Sequence, residues 1–235
     1  APAPAAPDWL AQSPPLSQSQ NAQFDDKIFA PSQLAAQLNR ARPHKTLFAD
    51  RQSTAPDGAL LYGLLAHRLF EYLPAAPPDK RAQRAKKYLA QHGAALSAQQ
   101  REAMCQQVLD VMAQPELADF FGGRGRAEVP IAGKLVLGDG TMLRMNGVID
   151  LLLETPKAVF LADFKTGQPS ETANDIPQNY LTQMACYQAL MQAHRPDCAV
   201  RCLLIWTQTG RVDTLNDTKL AACLDKASAT HLKLN

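Results

Sequence analysis

Asp163 and Lys165 stand two positions apart in VFLADFKTGQP, residues 159–169. The apolar run before them stops at Gly167 and Pro169, so it reads as a buried strand that ends in charged residues. Strand alternation puts Asp163 and Lys165 on one face and turns Phe164 the other way, into the core. The preceding apolar run, NGVID, ends in another acid, Asp150. If the two runs pair as a hairpin, the carboxylates converge, and carboxylates held close repel unless a cation lies between them. Oxygen ligands suit a hard divalent ion such as Mg²⁺, which keeps waters and accepts a phosphate oxygen. A lysine beside that ion can orient or deprotonate a nucleophilic water and offset charge developing on phosphate. The competing reading of an isolated D-x-K is a surface ion pair between Lys165 and one of the acids.

Other residues add to the first reading. Glu128 opens the strand AEVPIAGKLVL and supplies a third acid. Tyr180, Gln183 and Tyr187 fall at i, i+3 and i+7 of a helical run and share one stripe, able to hold the lysine and a scissile phosphate or simply to pack in the core. His67 lies on an apolar helix face with Gly63 one turn earlier, where a ligand or a backbone can approach, although a lone histidine of this kind is commonly a satisfied core residue.

These residues need elements to position them. Residues 1–45 are expected to be a linker rich in Pro, Ser and Gln, with Ser32 capping a short amphipathic turn, and residues 46–235 a folded domain. Helices are expected from Asp57 to Pro74, from Asp79 to His92 and from a Ser97 cap to Ala113. After Gly122 the period becomes two, which predicts three antiparallel strands over 127–137, 141–154 and 157–166. A long helix from Pro177 to Ala193, a strand with a partner strand, and a final helix from Asp217 complete the order. This order predicts an α/β core in which a central mixed sheet is flanked by helices.

The chain has 235 residues and a net charge of +2, too small to announce a polyanion partner by itself. The positive charge is concentrated, however. Lys80, Arg81, Arg84, Lys86 and Lys87 crowd one helix and Arg124 and Arg126 make a second basic spot, so both are candidate DNA contacts, with a solvated helix face as the alternative. Five cysteines without C-x-x-C spacing exclude a disulfide framework and predict reduced thiols in a cytoplasmic protein. No apolar run is long enough to predict a membrane span. The start, APAPAAPDWL, is expected to follow a missing N-terminal part, and no G-x-x-x-x-G-K-[ST] loop for ATP is present in the chain.

The joint set GVID, LADFKTG and QMACY resembles the nuclease domain of RecB-type enzymes in the PD-(D/E)xK superfamily, whose members carry G-x-I-D, D-x-K and Q-x-x-x-Y in that order. PDWL with the following Pro-rich tract and APSQL, the histidine helix GLLAHRLFEYLP and the strand AEVPIAG are similar to the C-terminal domain of AddA-type helicase-nuclease subunits. The resemblance implies a restriction-endonuclease-like core. It also implies metal roles for His67, Glu128, Asp150 and Asp163, catalytic assistance by Lys165, and supporting roles for Gln183 and Tyr187. It implies Mg²⁺, with Mn²⁺ as a substitute, and single-stranded DNA delivered from duplex ends in double-strand break repair and recombination. The implied partners are a helicase part of the same polypeptide and an AddB-type subunit, with no membrane. A free-standing RecB-like exonuclease and an inactive DNA-binding scaffold are the alternatives. The cysteine spacing does not match the four-cysteine iron–sulfur cluster of related nucleases, so no cluster is expected. Leu151 stands where many AddA-type sequences have Arg.

Overall fold

A computed structural model describes residues 28–38, 58–172 and 175–226, without the side chains of residues 38 and 58–60. Strand β1 (Ile28–Phe29) and helix α1 (Pro31–Leu38) precede helices α2 (Gly58–Tyr72), α3 (Pro78–His92) and α4 (Ala98–Met112). Three strands follow, β2 (Arg126–Val136), β3 (Met142–Glu154) and β4 (Ala158–Lys165). Helix α5 (Gln178–His194), strands β5 (Ala199–Trp206) and β6 (Val212–Thr214), and helix α6 (Asp217–Asp225) close the order.

The architecture is α/β with a mixed six-stranded sheet, as the change of period after Gly122 predicts. Strands β2, β3 and β4 form an antiparallel meander, β5 runs parallel to β4 after the α5 crossover, and β6 returns antiparallel to β5. Each face of the sheet buries its own apolar cluster. One is built around Leu181, Met184 and Leu190 of α5, the other around Leu69, Phe70, Met104 and Val108 of the α2–α4 layer. Ser97 caps α4 in a reciprocal capping box with Gln100, which satisfies two backbone donors that the first turn leaves open. The five cysteines are all buried, and burial pushes the Cys186 thiol up to about 12.

Two expectations change at the N-terminus. Residues 28–38, expected within the linker, belong to the folded body: β1 pairs parallel with Arg144 and Met145 of β3, and α1 lies on α5. Helix α1 starts at Pro31, so Ser32 lies inside its first turn and does not cap it. The Ala30 N–H instead donates to Gln33 Oε1, and the Ala30 carbonyl accepts from Leu34. Pro31 suits a first helical position, where its missing N–H costs nothing. Residues 1–27, 39–57 and 227–235 lie outside the described residues, and the remainder of the expected linker with them; helix α6 ends at Asp225 with Lys226 as its C-cap, short of the expected run to the end of the chain.

Strand β3 is the axis of the sheet. One edge pairs with β2 from Met142 to Leu152. The other edge is shared: β1 takes Arg144 and Met145, β4 takes Leu151 to Glu154, and residues 146–150 between them have no ladder partner on this side. The gap needs Gly147, because a Cβ there would lie 2.9 Å from both Pro31 Cδ and Tyr187 Cε1. At Gly63 a Cβ would meet only Thr166, at 3.6 Å, which is ordinary contact. Gly147→Ala is therefore expected to destabilise by about 1–3 kcal/mol through overpacking. Gly63→Ala is expected to be neutral or to stabilise by roughly 0.5–1 kcal/mol through helix propensity. Urea unfolding of both variants checks the contrast.

Candidate active site

The register that pairs Leu151 with Ala162 carries Asp150 opposite Asp163, the point where β3 and β4 part. Ladder bonds end there, and the Phe164 N–H donates to Asp150 Oδ2 at 2.9 Å. A carboxylate thus takes the bond that a strand carbonyl would otherwise accept.

Opening the sheet at this point lets both helical layers reach one spot. From α2, His67 places Nδ1 3.5 Å from Asp150 Oδ2, its ring edge-on to Phe164 with centroids 5.6 Å apart. From α5, Gln183 donates to Asp163 Oδ1 and accepts from Lys165 Nζ, both at 3.0 Å. The Lys165 ammonium sits 2.6 Å from Asp163 Oδ2 and 4.2 Å from the centre of the Tyr180 ring. Asp163 and Lys165 are 5% and 9% exposed, so the ion pair is no surface decoration and its geometry is fixed by packing.

Glu128 arrives by a backbone distortion that sequence reasoning missed. It alone among the described non-glycine residues has a positive φ, 52°. Val129 and Ile149 pack on the α5 side, whereas their neighbours Ala127 and Leu151 pack on the α2–α4 side, so alternation breaks across Glu128 and Asp150. The register stays constant, Ala127 with Leu151 and Val129 with Ile149, so no extra residue causes the break. A left-handed residue other than glycine costs about 1 kcal/mol or more and survives only where its surroundings fix it. No local signal in RAEVPI marks it.

As a result His67, Glu128 and Asp150 each offer a ligand atom within 4.8 Å of the others, with Asp163 directly across the strand gap. Two carboxylates and an imidazole suit a divalent cation. Burial, reinforced by the Asp163 charge, raises the Asp150 carboxyl well above the usual carboxylate range, while the Phe164 N–H opposes the rise. Burial lowers His67 to about 4, against the opposing pull of Asp163. The imidazole is therefore neutral at pH 7, the form in which histidine binds metals.

The residues line a cleft of about 830 Å³ between α1, α2, the β3–β4 fork and α5. A scan of family models matches residues 31–222 to the PD-(D/E)XK nuclease superfamily. The chain belongs to that superfamily. Nucleases of this superfamily use divalent metals, and the carboxylate and histidine group described above is of the kind that holds one. No curated protein matches the sequence. Among solved structures, SSO0001 aligns at 13% identity and a TM-score of 0.31, over 68% of this chain and 81% of that one, a likeness too distant to bear on the site.

Not every expected residue of this PD-(D/E)XK domain reaches the cleft. Tyr187 does line it, and donates to the Val148 carbonyl at 2.8 Å, so that it holds β3 in the unpaired stretch. Leu151 is buried in the core at 1% exposure. None of the seven basic candidates lines the cleft; its cationic side chains are Arg68, His67 when protonated, and Lys165. Arg81 is a brace, donating to the carbonyls of Ala76 and Phe121. Lys86 pairs with Glu102 of α4, Lys80 with Asp79, Arg124 with Asp119 and Arg126 with Glu154. Arg84 lies 6.0 Å from the centre of the Tyr72 ring, and nothing places Lys87 near the cleft. A charge count along one helix sees the bases but not the acids of the neighbouring elements. Among the described residues no helix is long and apolar enough to cross a membrane.

Two stability measurements in chelator follow. Removing the buried charge in Asp150→Asn should raise the melting temperature, by about 2–4 °C for each kcal/mol recovered in a chain of this size. The same substitution should abolish the further rise that added Mg²⁺ or Mn²⁺ gives the wild type. For His67, whose folded value of about 4 lies below its unfolded value of 6.5, the unfolded chain binds the extra proton between those pH values. Stability is thus lost as pH falls through that window. Relative to His67→Leu, the wild type should lose up to about 3 kcal/mol from pH 6.5 to 4, measured by urea unfolding at each pH.

Proposed function

We propose that the chain is a divalent-metal-dependent deoxyribonuclease module that hydrolyses phosphodiester bonds in single-stranded DNA, within an AddA-type helicase-nuclease that processes double-strand breaks. The observation that carries the hydrolytic part is the fork itself: Asp150 opposite Asp163, with Glu128 and His67 beside them and Lys165 anchored at its edge. The choice of DNA and of the repair context rests on the sequence likeness of the motif set and of the segment around APSQL.

Mg²⁺ or Mn²⁺ held by Asp150, Asp163, Glu128 and His67 would supply a Lewis acid against the scissile phosphate. The protein groups supply the rest. Lys165 keeps an ammonium at the edge of the carboxylates, where it can orient a water for attack on phosphorus and offset charge on the phosphate oxygens as the bond to the leaving oxygen breaks. Gln183 fixes both ends of that arrangement, because one amide accepts from Lys165 and donates to Asp163. The Tyr180 ring beneath the ammonium adds a cation–π contact that helps hold it in place. Tyr187 and Gly147 are positioning residues that set β3.

Cleavage of an end-labelled single-stranded oligonucleotide, titrated with Mg²⁺ and Mn²⁺, tests the assignment. A chelator and Asp163→Ala should each abolish cleavage while the fold survives. Lys165→Ala should lose turnover by on the order of 10²-fold or more. Calorimetry should find metal binding largely kept in Lys165→Ala and lost in Asp163→Ala. Undiminished cleavage by folded Asp163→Ala protein would refute the reading.

A further inference from the structure

Helix α2 carries the surface of the cleft onward. Leu64, Arg68 and Tyr72 fall at i, i+4 and i+8 and form one ridge along it. Leu64 and Arg68 line the cleft. Arg68 also lines a second pocket of about 500 Å³, together with Glu71, Tyr72, Ala75 and Tyr88. One residue therefore joins the two cavities.

Helix α3 supplies the second wall with a matching ridge, Arg84, Tyr88 and His92, again four residues apart. The Tyr72 and Tyr88 rings lie 6.2 Å apart at 29°, the His92 ring lies 4.4 Å from that of Tyr88, and the Arg84 guanidinium is 6.0 Å from the centre of the Tyr72 ring. Arg81 ties the α2–α3 connection to the carbonyls of Ala76 and Phe121, which keeps the two ridges side by side. Glu71, the acid among the lining residues, pairs with Arg68, so its charge is answered inside the pocket. Tyr72 is 46% exposed and Leu64 43%, a large apolar area turned outward on a single ridge. Rings that alternate with guanidinium groups suit an unpaired nucleic-acid strand, because every base has a π face and arginine meets both rings and phosphates.

We infer that the α2–α3 face is a base-stacking platform beside the cleft: bases of a single nucleic-acid strand lie on Tyr72 and Tyr88, its backbone passes Arg84, and the strand continues past Arg68 and Leu64 into the cleft. The inference rests on the nuclease reading for the destination of the strand but not for its binding. Helical rise supports the span, since Leu64 and Tyr72 are about 12 Å apart along the axis, room for about two nucleotides of an extended strand. Stacking on a ring tolerates any base, so the platform should be indifferent to base order.

The test is binding of a fluorescent oligo(dT) to the full chain, followed by anisotropy in chelator at several salt concentrations, beside a fully abasic strand of the same length. The wild type should bind oligo(dT) more tightly than the abasic strand. Tyr72→Leu keeps apolar bulk at an exposed position and removes the π face. It should weaken oligo(dT) binding by about 5- to 150-fold, the range for one stacked base, with an unchanged slope of log affinity against log salt. Binding of the abasic strand should not change in that variant, and Tyr72→Phe should restore the affinity for oligo(dT). Arg84→Ala should instead reduce the slope by about 0.7, the value for one phosphate contact. Unchanged melting temperatures would show that the variants fold. Equal loss of both strands in Tyr72→Leu, loss of neither, or no binding by the wild type overturns the inference and assigns the face to a protein partner. Because binding is read without metal, ring-dependent binding with no hydrolysis after Mg²⁺ or Mn²⁺ is added would uphold the platform and defeat the nuclease reading; metal-dependent hydrolysis with binding indifferent to Tyr72 would do the reverse.

Discussion

Two carboxylates that face each other where β3 and β4 separate set the terms for the rest of the molecule. A continued hairpin would satisfy the backbone and press Asp150 against Asp163 in a largely buried position. The strands part instead, and each acid receives a partial offset: the Phe164 N–H for Asp150, and the Lys165 ammonium with the Gln183 amide for Asp163. Asp150 has the weaker compensation, a single neutral donor, and its carboxyl is held far above the ordinary range. A free protein pays for this site in stability, and a divalent cation is the charge that would relieve it.

The same opening explains why residues distant in sequence are needed. A closed sheet would keep α2 and α5 on separate faces. Here His67 from one layer and Gln183 from the other approach the same pair of acids. The fork must then be held open from outside, and the N-terminal segment contributes to this: β1 pairs with β3 just before the gap, and Pro31 and Tyr187 close over Gly147. On the far edge of β3 the left-handed backbone at Glu128 turns its carboxylate toward the site at a conformational cost. Such strain is tolerated where dense packing on both sides leaves the backbone no alternative.

What the sequence disclosed follows from which interactions are local. The convergence of Asp150 and Asp163 was legible, because alternation and a short hairpin fix it within 14 residues. The helices and the three-strand meander were legible for the same reason, and the Ser97 cap most directly. The place of β1 was not, since two residues carry no periodicity and their partner strand is more than 100 positions away. The misplaced cap at Ser32 has a related cause: Gln33 reaches back to the Ala30 N–H, and a serine two positions after the cap looks identical on paper. What the sequence could not show of the basic residues is their surroundings: Lys86 and Arg126 are matched by Glu102 and Glu154, acids on other elements that only the fold brings near.

Lys165 poses the remaining question of how one side chain can be an ion-pair partner and still serve chemistry. Its contact with Asp163 would be expected to weaken if that carboxylate were shared with a metal. Gln183 resolves the difficulty, because its amide carbonyl holds the ammonium independently of the acid while its NH₂ group holds Asp163. The Tyr180 ring adds a second contact that does not depend on the carboxylate charge. With two of its three anchors indifferent to what occupies Asp163, the ammonium can turn toward a phosphate without leaving its seat. A lone D-x-K tripeptide has no such support, and the Gln and Tyr stripe of α5 is what separates this lysine from an ordinary buried salt bridge.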